Sequence, residues 1–223
     1  MKEKTIEING VPFTYMDEVG DPYSGFNKMK PADAEKILKL SSKLLKDCGI
    51  DFFIAFGTLL GAIREGYFIK GDGDVDIVVT DEKKLYESLP YFQKNGLMIN
   101  RIFPGDLFSF HTEGRLGHID MYIMHPIEGF AIWKPWCTSI CGHAVPKKYF
   151  QKITIGEYTL GGEQYPYPEN PIAVLEWWYG KNWRIPQSKA ARQNIFLRWL
   201  WLLPSNLWRR FKKKMKKIFK RNV

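Results

Sequence analysis

The sequence predicts an α+β fold, a mixed β-sheet flanked by helices around one core, with a basic amphipathic helix at its C-terminal end. Three observations carry this. Strand-like and helix-like stretches mix without the strict alternation of a doubly wound sheet. With 223 residues, 45% of them hydrophobic, the chain buries one full-sized core and not two. Charge is also segregated: residues 177–223 hold 14 of the 33 Lys and Arg and no Asp or Glu, which leaves 19 basic residues against 24 acidic ones elsewhere. Basic character therefore belongs to a local device, separate from the chemistry of the body.

Each element has its own signal. "TIEINGVPFTY" alternates around Asn9-Gly10, a hairpin whose Pro12 marks an edge. "PADAEKILKLSSKLLKDCG" spaces Ile37, Leu38, Leu40, Leu44 and Leu45 helically and stops at Gly49, which makes Cys48 a buried thiol. "IDFFIAFG" reads as a buried strand, "TLLGAIREG" as a short helix opened by Gly57 and Thr58, and "DVDIVV" as the next strand. "DEKKLYESLPYFQKNG" is a helix that contains Pro90 and ends at Gly96. "LMINRIF", "LFSFHT" and "GHIDMYIM" are three more strands. The organisation read from these signals is a hairpin and lead-in over 1–30, a catalytic domain over 31–188 and a basic tail over 189–223.

The stretch "IKGDGDVDIVV" sets Asp72, Asp74 and Asp76 two residues apart. On a strand, such neighbours share a face about 6.5 to 7 Å apart, so Asp74 and Asp76 reach one cation from one side while Val75 and Ile77 face the core. Asp72, between Gly71 and Gly73, belongs to the loop that leads in and supplies a further ligand or a substrate contact. Carboxylates this close repel one another unless a divalent cation neutralises them, and all-oxygen ligation selects Mg²⁺ or Mn²⁺ over zinc. An EF-hand is excluded: with Asp72 first in the loop, Ile77 stands where Gly is required and Lys83 where Glu is required. The bland alternative is a solvated Asp-Gly turn.

Upstream, Gly57-Thr58 opens a helix whose free N–H groups and partial positive charge suit a phosphate, with Arg64 on the same helix. A phosphate cradle followed by a carboxylate strand is a minimal apparatus for moving a nucleotide or phosphoryl group. Among His111, His118, His125 and His143, His118 stands out because it precedes Asp120 by two residues and shares its strand face. Cys137, Cys141 and His143 have the chemistry of zinc ligands, but no fourth ligand accompanies them.

The stretch "FGTLLGAIREGYFIKGDGDVDIVV" resembles the signature of the LicD family of phosphocholine transferases, which includes the fukutin-related ribitol-phosphate transferases and belongs to the nucleotidyltransferase-fold superfamily. Gly57, Thr58, Leu59, Leu60, Gly61, Arg64, Asp72, Asp74 and Asp76 carry the match. "GHIDMYIM" resembles the later family strand with a lone Asp, here Asp120, and "WWYGKNWRIP" the closing element, with Tyr179, Gly180, Trp183 and Pro186. The likeness runs over residues 35–186; the departure is Lys70-Gly71 where the family has Pro-Trp.

The resemblance implies a nucleotidyltransferase-like fold and a CDP-activated alcohol, CDP-choline or a similar donor, whose phospho-alcohol passes to a hydroxyl of a glycan or lipid-linked glycan as CMP leaves. It implies Asp74, Asp76 and Asp120 as catalytic metal ligands for Mg²⁺ or Mn²⁺, with Gly57, Thr58 and Arg64 binding phosphate charge; Asp72 and His118 join the substrate side by their own positions in the sequence. Asp120 either completes the metal shell or takes the acceptor proton. Two other functions stay open: a nucleotidyltransferase acting on RNA, protein or a small molecule, and a non-catalytic membrane-binding module.

The tail has its own logic. The apolar run 195–203 is broken by Arg198 and ended by Pro204, well short of the roughly 20 residues that span a bilayer. Beyond it, Leu207, Trp208, Phe211, Met215, Ile218 and Phe219 recur at three- and four-residue steps among basic residues such as Lys212 and Lys216. That pattern fits a helix lying in an anionic membrane surface, whereas nucleic acid would leave the apolar stripe exposed. With three Cys and no apolar leader in "MKEKTIEING", the expectation is a cytoplasmic protein, peripheral on the inner face of the cell membrane.

Overall fold

The computed structural model describes residues 2–17, 29–126, 137–140, 143–146 and 152–186. The tail, with Trp208, Phe211, Lys212, Met215 and Lys216, lies outside the described residues, as does Cys141 of the suggested zinc trio.

Asn9 and Gly10, at φ 51° and 78°, join β1 (Lys2–Ile8) to β2 (Val11–Asp17) with Ile8 opposite Val11. Two successive positive φ values give the turn whose twist matches that of the flanking strands. Helix α1 (Pro31–Asp47) begins on a proline, whose missing N–H costs nothing there, and ends before Gly49 at φ 63°. It buries Ile37, Leu38, Leu44 and Leu45; Cys48, expected inside, is half-buried because it caps the helix at the surface.

β3 is shorter than the apolar run suggests (Phe52–Ile54), because the chain turns at Phe56 into α2 (Phe56–Arg64). Gly61 lets α2 pack on the following turn: a Cβ there would meet the Tyr67 carbonyl oxygen at 2.6 Å. β4 (Val75–Val79) leads to α3 (Glu82–Lys94), which Asp81 caps by accepting from the Lys84 N–H at 2.9 Å. β5 (Leu97–Phe103), β6 (Leu107–Thr112) and β7 (His118–Pro126) follow.

The central sheet has the order β3-β4-β7-β6-β5; β4 and β7 run parallel and the other neighbours antiparallel. The mixed sheet flanked by helices is therefore present. On one face α3 packs Phe92 against Phe110, 5.8 Å between ring centroids, and Tyr86 against Phe108 at 4.8 Å. Ser109 alternates with those phenylalanines and points to the other face. The β1–β2 hairpin lies beside β5.

Beyond β7, β8 (Cys137–Ile140) and β9 (His143–Pro146) extend the sheet, and the two-residue strands β10 (Ile153–Thr154), β11 (Thr159–Leu160), β12 (Glu163–Gln164) and β13 (Tyr167–Pro168) form two small ladders. Helix α4 (Pro171–Tyr179) closes the described chain. Its sequence, PIAVLEWWY, is apolar almost all round, so no 3.6-residue stripe marks it. The Asn170 cap, which accepts from Ala173, and Pro171 at the first turn were its legible signals.

Candidate active site

The register of three strands builds the centre of the site. Asp76 on β4 pairs with Asp120 on β7, and Asp120 pairs with Ser109 on β6. Directly opposed residues point to the same side of a sheet, so the three side chains form one polar row. The row is deeply buried: Asp76 is 7% exposed, Asp120 and Ser109 not at all. The Ser109 hydroxyl donates to Asp120 Oδ1, and His118 Nε2 lies 3.0 Å from that same oxygen.

Asp74 stands one residue ahead of β4 instead of on it, and Asp72 sits in the preceding loop; both are half-buried. Burial first, and then the charges of Asp74, Asp120 and Asp72, push the Asp76 carboxyl well above the ordinary carboxylate range; the opposing influence is a hydrogen bond from the Gly57 N–H, 3.1 Å from Asp76 Oδ2. Four carboxylates thus act on one buried position.

Gly57 supplies the room for this. A Cβ on Gly57 would lie 2.6 Å from Asp72 Oδ2 and 3.3 Å from Asp76 Oδ2, so both oxygens occupy the space that a side chain would fill. Thr58, the next residue, accepts the Asp76 backbone N–H on its hydroxyl at 2.8 Å. The opening turn of α2 is thus laced to β4, and its Gly57 N–H serves a carboxylate. Phe56, just before, has φ 41°, the left-handed region unusual for an aromatic residue. Tyr122 and Trp178 hold it, with ring centroids 4.9 and 4.2 Å away.

The family model described as "LicD/FKTN/FKRP, nucleotidyltransferase domain" matches residues 49–170. The chain belongs to the LicD/FKTN/FKRP family. It is 25% identical over 175 residues to the ribitol-5-phosphate transferase FKTN of Mus musculus, covering 75% of this chain and 38% of that protein. The Homo sapiens protein of the same name is 25% identical over 156 residues, covering 69% and 33%. An uncharacterised Rickettsia typhi protein is 31% identical over 115 residues, covering 47% and 37%. The chain spans less than two-fifths of the length of these curated relatives. Among solved structures, the lincomycin-bound lincosamide antibiotic adenylyltransferase LnuA aligns with a TM-score of 0.45 and 13% identity, over 67% of this chain and 85% of that one.

Within this LicD domain, the residues singled out from the sequence separate into two groups. Asp72, Asp74, Asp76, Asp120, His118, Gly57 and Thr58 come together at the ends of β4, β7 and α2. Arg64 does not join them. It sits at the opposite end of α2, where its guanidinium bonds Glu65 Oε1 at 2.6 Å. His111 lies 2.8 Å from its neighbour's carbonyl, Thr112 O, and His125 lies 2.9 Å from Gly105 O. Gly71, which replaces the family's Trp, has φ 82° in a turn closed by the Asp72 N–H on Ile69 O, a conformation that would strain a large side chain.

Three participants were not signalled by motif. Ser109 hides between two phenylalanines in an apolar strand. Met29 donates its backbone N–H to Asp72 O at 3.2 Å and offers its sulfur to the His118 N–H at 3.3 Å, two contacts that no spacing announces. Phe56 reads as plain core. The acidic pocket beside the row is walled by Met29, Ala34, Phe68 and Ile69 and faced by Asp72 and Asp74.

The donor set fits a hard divalent cation. It is all oxygen, it is held together against its own repulsion, and Asp120 Oδ2 is buried without a hydrogen-bond partner among the described residues. Among the described residues no three His, Cys, Asp or Glu side chains have closed into a ligand set, so the carboxylates flank the position without converging on it.

Proposed function

We propose that this LicD domain catalyses metal-dependent transfer of a phospho-alcohol from a CDP-activated donor to a hydroxyl of a glycan or lipid-linked glycan, with release of CMP. The observation that carries the reading is the crowding of Asp72 and Asp76 against the open side of Gly57, with Asp74 and Asp120 close enough to raise the proton affinity of the buried Asp76. The family membership and the ribitol-5-phosphate transferase named among the relatives support the same class of reaction.

Asp74, Asp76 and Asp120 are the residues that would hold Mg²⁺ or Mn²⁺. A bound cation would neutralise the donor's diphosphate and stabilise the charge that develops on the leaving phosphate. The chain's own residues do the rest. Gly57 and Thr58 fix Asp76, Asp72 faces the substrate pocket, and Met29 and Phe68 keep bulk water from one wall. The acceptor oxygen forms a bond to the phosphorus that carries the alcohol as the bond to the CMP oxygen breaks. With Asp120 in the metal shell, the acceptor proton passes to His118, whose Nε2 lies 3.0 Å from Asp120 Oδ1.

The deciding experiment is release of CMP from a panel of CDP-alcohols with a glycolipid extract, in Mg²⁺ or Mn²⁺ and in EDTA. The expected result is consumption of one donor, abolished by EDTA. Consumption of none, with label from CTP, UTP or ATP entering RNA, protein or a small molecule, replaces the reading with nucleotidyl transfer.

The acceptor's location follows from the tail. Nine Lys and Arg within 209–221 contribute about 1 kcal/mol each beside an anionic leaflet, and the apolar stripe adds to that. Among the described residues no helix is long and apolar enough to cross a membrane. The 223-residue chain is expected to float with phosphatidylserine-containing vesicles and a chain truncated at 189 to sediment; equal flotation of both removes the membrane role of the tail.

A further inference from the structure

Ser109 is a hydroxyl at a fully buried position of an otherwise apolar strand stretch, Leu-Phe-Ser-Phe. Burying a hydroxyl costs free energy unless it is hydrogen-bonded, and a small apolar residue would fill the same space without that cost. Its hydrogen bond goes to Asp120 Oδ1, on the strand next to the one that carries Asp76. His118 Nε2 approaches the same oxygen. The consequence is an asymmetric carboxylate. Oδ1 is engaged by a neutral donor, and Oδ2 is buried with no hydrogen-bond partner among the described residues.

We propose that Ser109 is a positioning residue of this site: it pins Asp120 by one oxygen and so presents the other, Oδ2, to the divalent cation. The inference rests on the metal-dependent reading given above. A carboxylate that swings between two rotamers spends part of its time turned away from the ion, and pays the entropy of being fixed at the moment of binding. One fixed by a neighbouring hydroxyl is already in place. Ser109 suits the task because it is neutral; a Lys or Arg on Oδ1 would compete with the cation for the carboxylate's charge. Its backbone is held in place by Phe108 and Phe110 on either side, both fully buried on the opposite face and packed under α3.

The test is Mn²⁺ binding by the full chain, measured by isothermal titration, in Ser109→Thr and Ser109→Val. These two side chains match in volume and differ in the hydroxyl. Ser109→Val is expected to bind Mn²⁺ about 10-fold or more weakly than wild type, and Ser109→Thr within a few-fold of it. Thermal melts in EDTA accompany the titrations, so that lost binding is read only from folded protein. Should the larger side chains prevent folding, Ser109→Ala replaces Ser109→Val and is compared with wild type directly. Equal Mn²⁺ affinity for the Thr and Val forms, or for Ala and wild type, overturns the assignment while the metal reading stands. Absence of saturable Mn²⁺ binding by wild type, or its persistence in Asp76→Asn, overturns the metal reading and this assignment with it.

Discussion

Asp76→Asn is expected to abolish turnover, by about 10³-fold or more, and at the same time to make the metal-free protein more stable at pH 7. The two effects have one cause. The Asp76 carboxyl is buried beside Asp74, Asp120 and Asp72, which raises its affinity for a proton in the native chain well above the ordinary value of 3.8. As pH rises from that ordinary value toward the raised one, the unfolded chain gives up the proton while the native chain still holds it. Stability therefore falls with rising pH across this window, and stays lower above it. Asn has no proton to lose, and its Oδ1 still accepts the Gly57 N–H. In EDTA at pH 7 the variant should melt above wild type, by about 2–4 °C for each kcal/mol of relieved repulsion. At pH 4 the gap should narrow. With saturating Mg²⁺ or Mn²⁺ wild type should recover and the variant should not, because the cation binds only the form that has the carboxylate. A variant that melts lower than wild type in EDTA at pH 7 would show that Asp76 is well solvated or paired in the native state, and would remove the argument for a cation at this position.

Gly57→Ala is expected to cost about 10²-fold in activity with little change in melting temperature. Its Cβ would enter the space held by Asp72 Oδ2, 2.6 Å away, and crowd Asp76 Oδ2 at 3.3 Å. The displaced atoms are carboxylate tips, which swing aside at small energetic cost, so the fold tolerates the change. The ligand geometry does not: a displacement of about 1 Å in a catalytic group is enough for a loss of that size. Gly61→Ala, four residues along the same motif, provides the contrast. There the Cβ meets a backbone carbonyl, Tyr67 O, at 2.6 Å, and a backbone atom cannot swing away. That substitution should lower the melting temperature clearly. Equal melting temperatures for the two variants would show that the glycines do not divide between site and packing in this way.

The two glycines illustrate how much was legible from the residues alone. The motif Gly57-Thr58-Leu59-Leu60-Gly61 marked the place, but not the reason for either glycine; that came from what lies across from each. The same holds for Thr58 and the Gly57 N–H, expected to face a phosphate and engaged instead with the strand that carries Asp76. Arg64, three residues beyond Gly61, was grouped with the site because sequence proximity on a short helix looks like spatial proximity. A helix of nine residues is about 13 Å long, and the two ends face different surroundings.

Local information in the chain was sufficient for the element types from β1 to β7, for the hairpin turn at Asn9-Gly10, for the α+β class and for the acidic triplet, because periodicity, caps and turn residues act over a few positions; the short strands β8–β13 and the evenly apolar α4 carry no such periodicity. The register that aligns Asp76, Asp120 and Ser109 across three strands, the loss of Asp74 from the strand proper, and the approach of Met29 to Asp72 and His118 depend on chain segments between 11 and 89 residues apart. Contacts of that kind are set by how the sheet packs, since a shift of one residue in any of these strands would turn every side chain to the opposite face and dissolve the row.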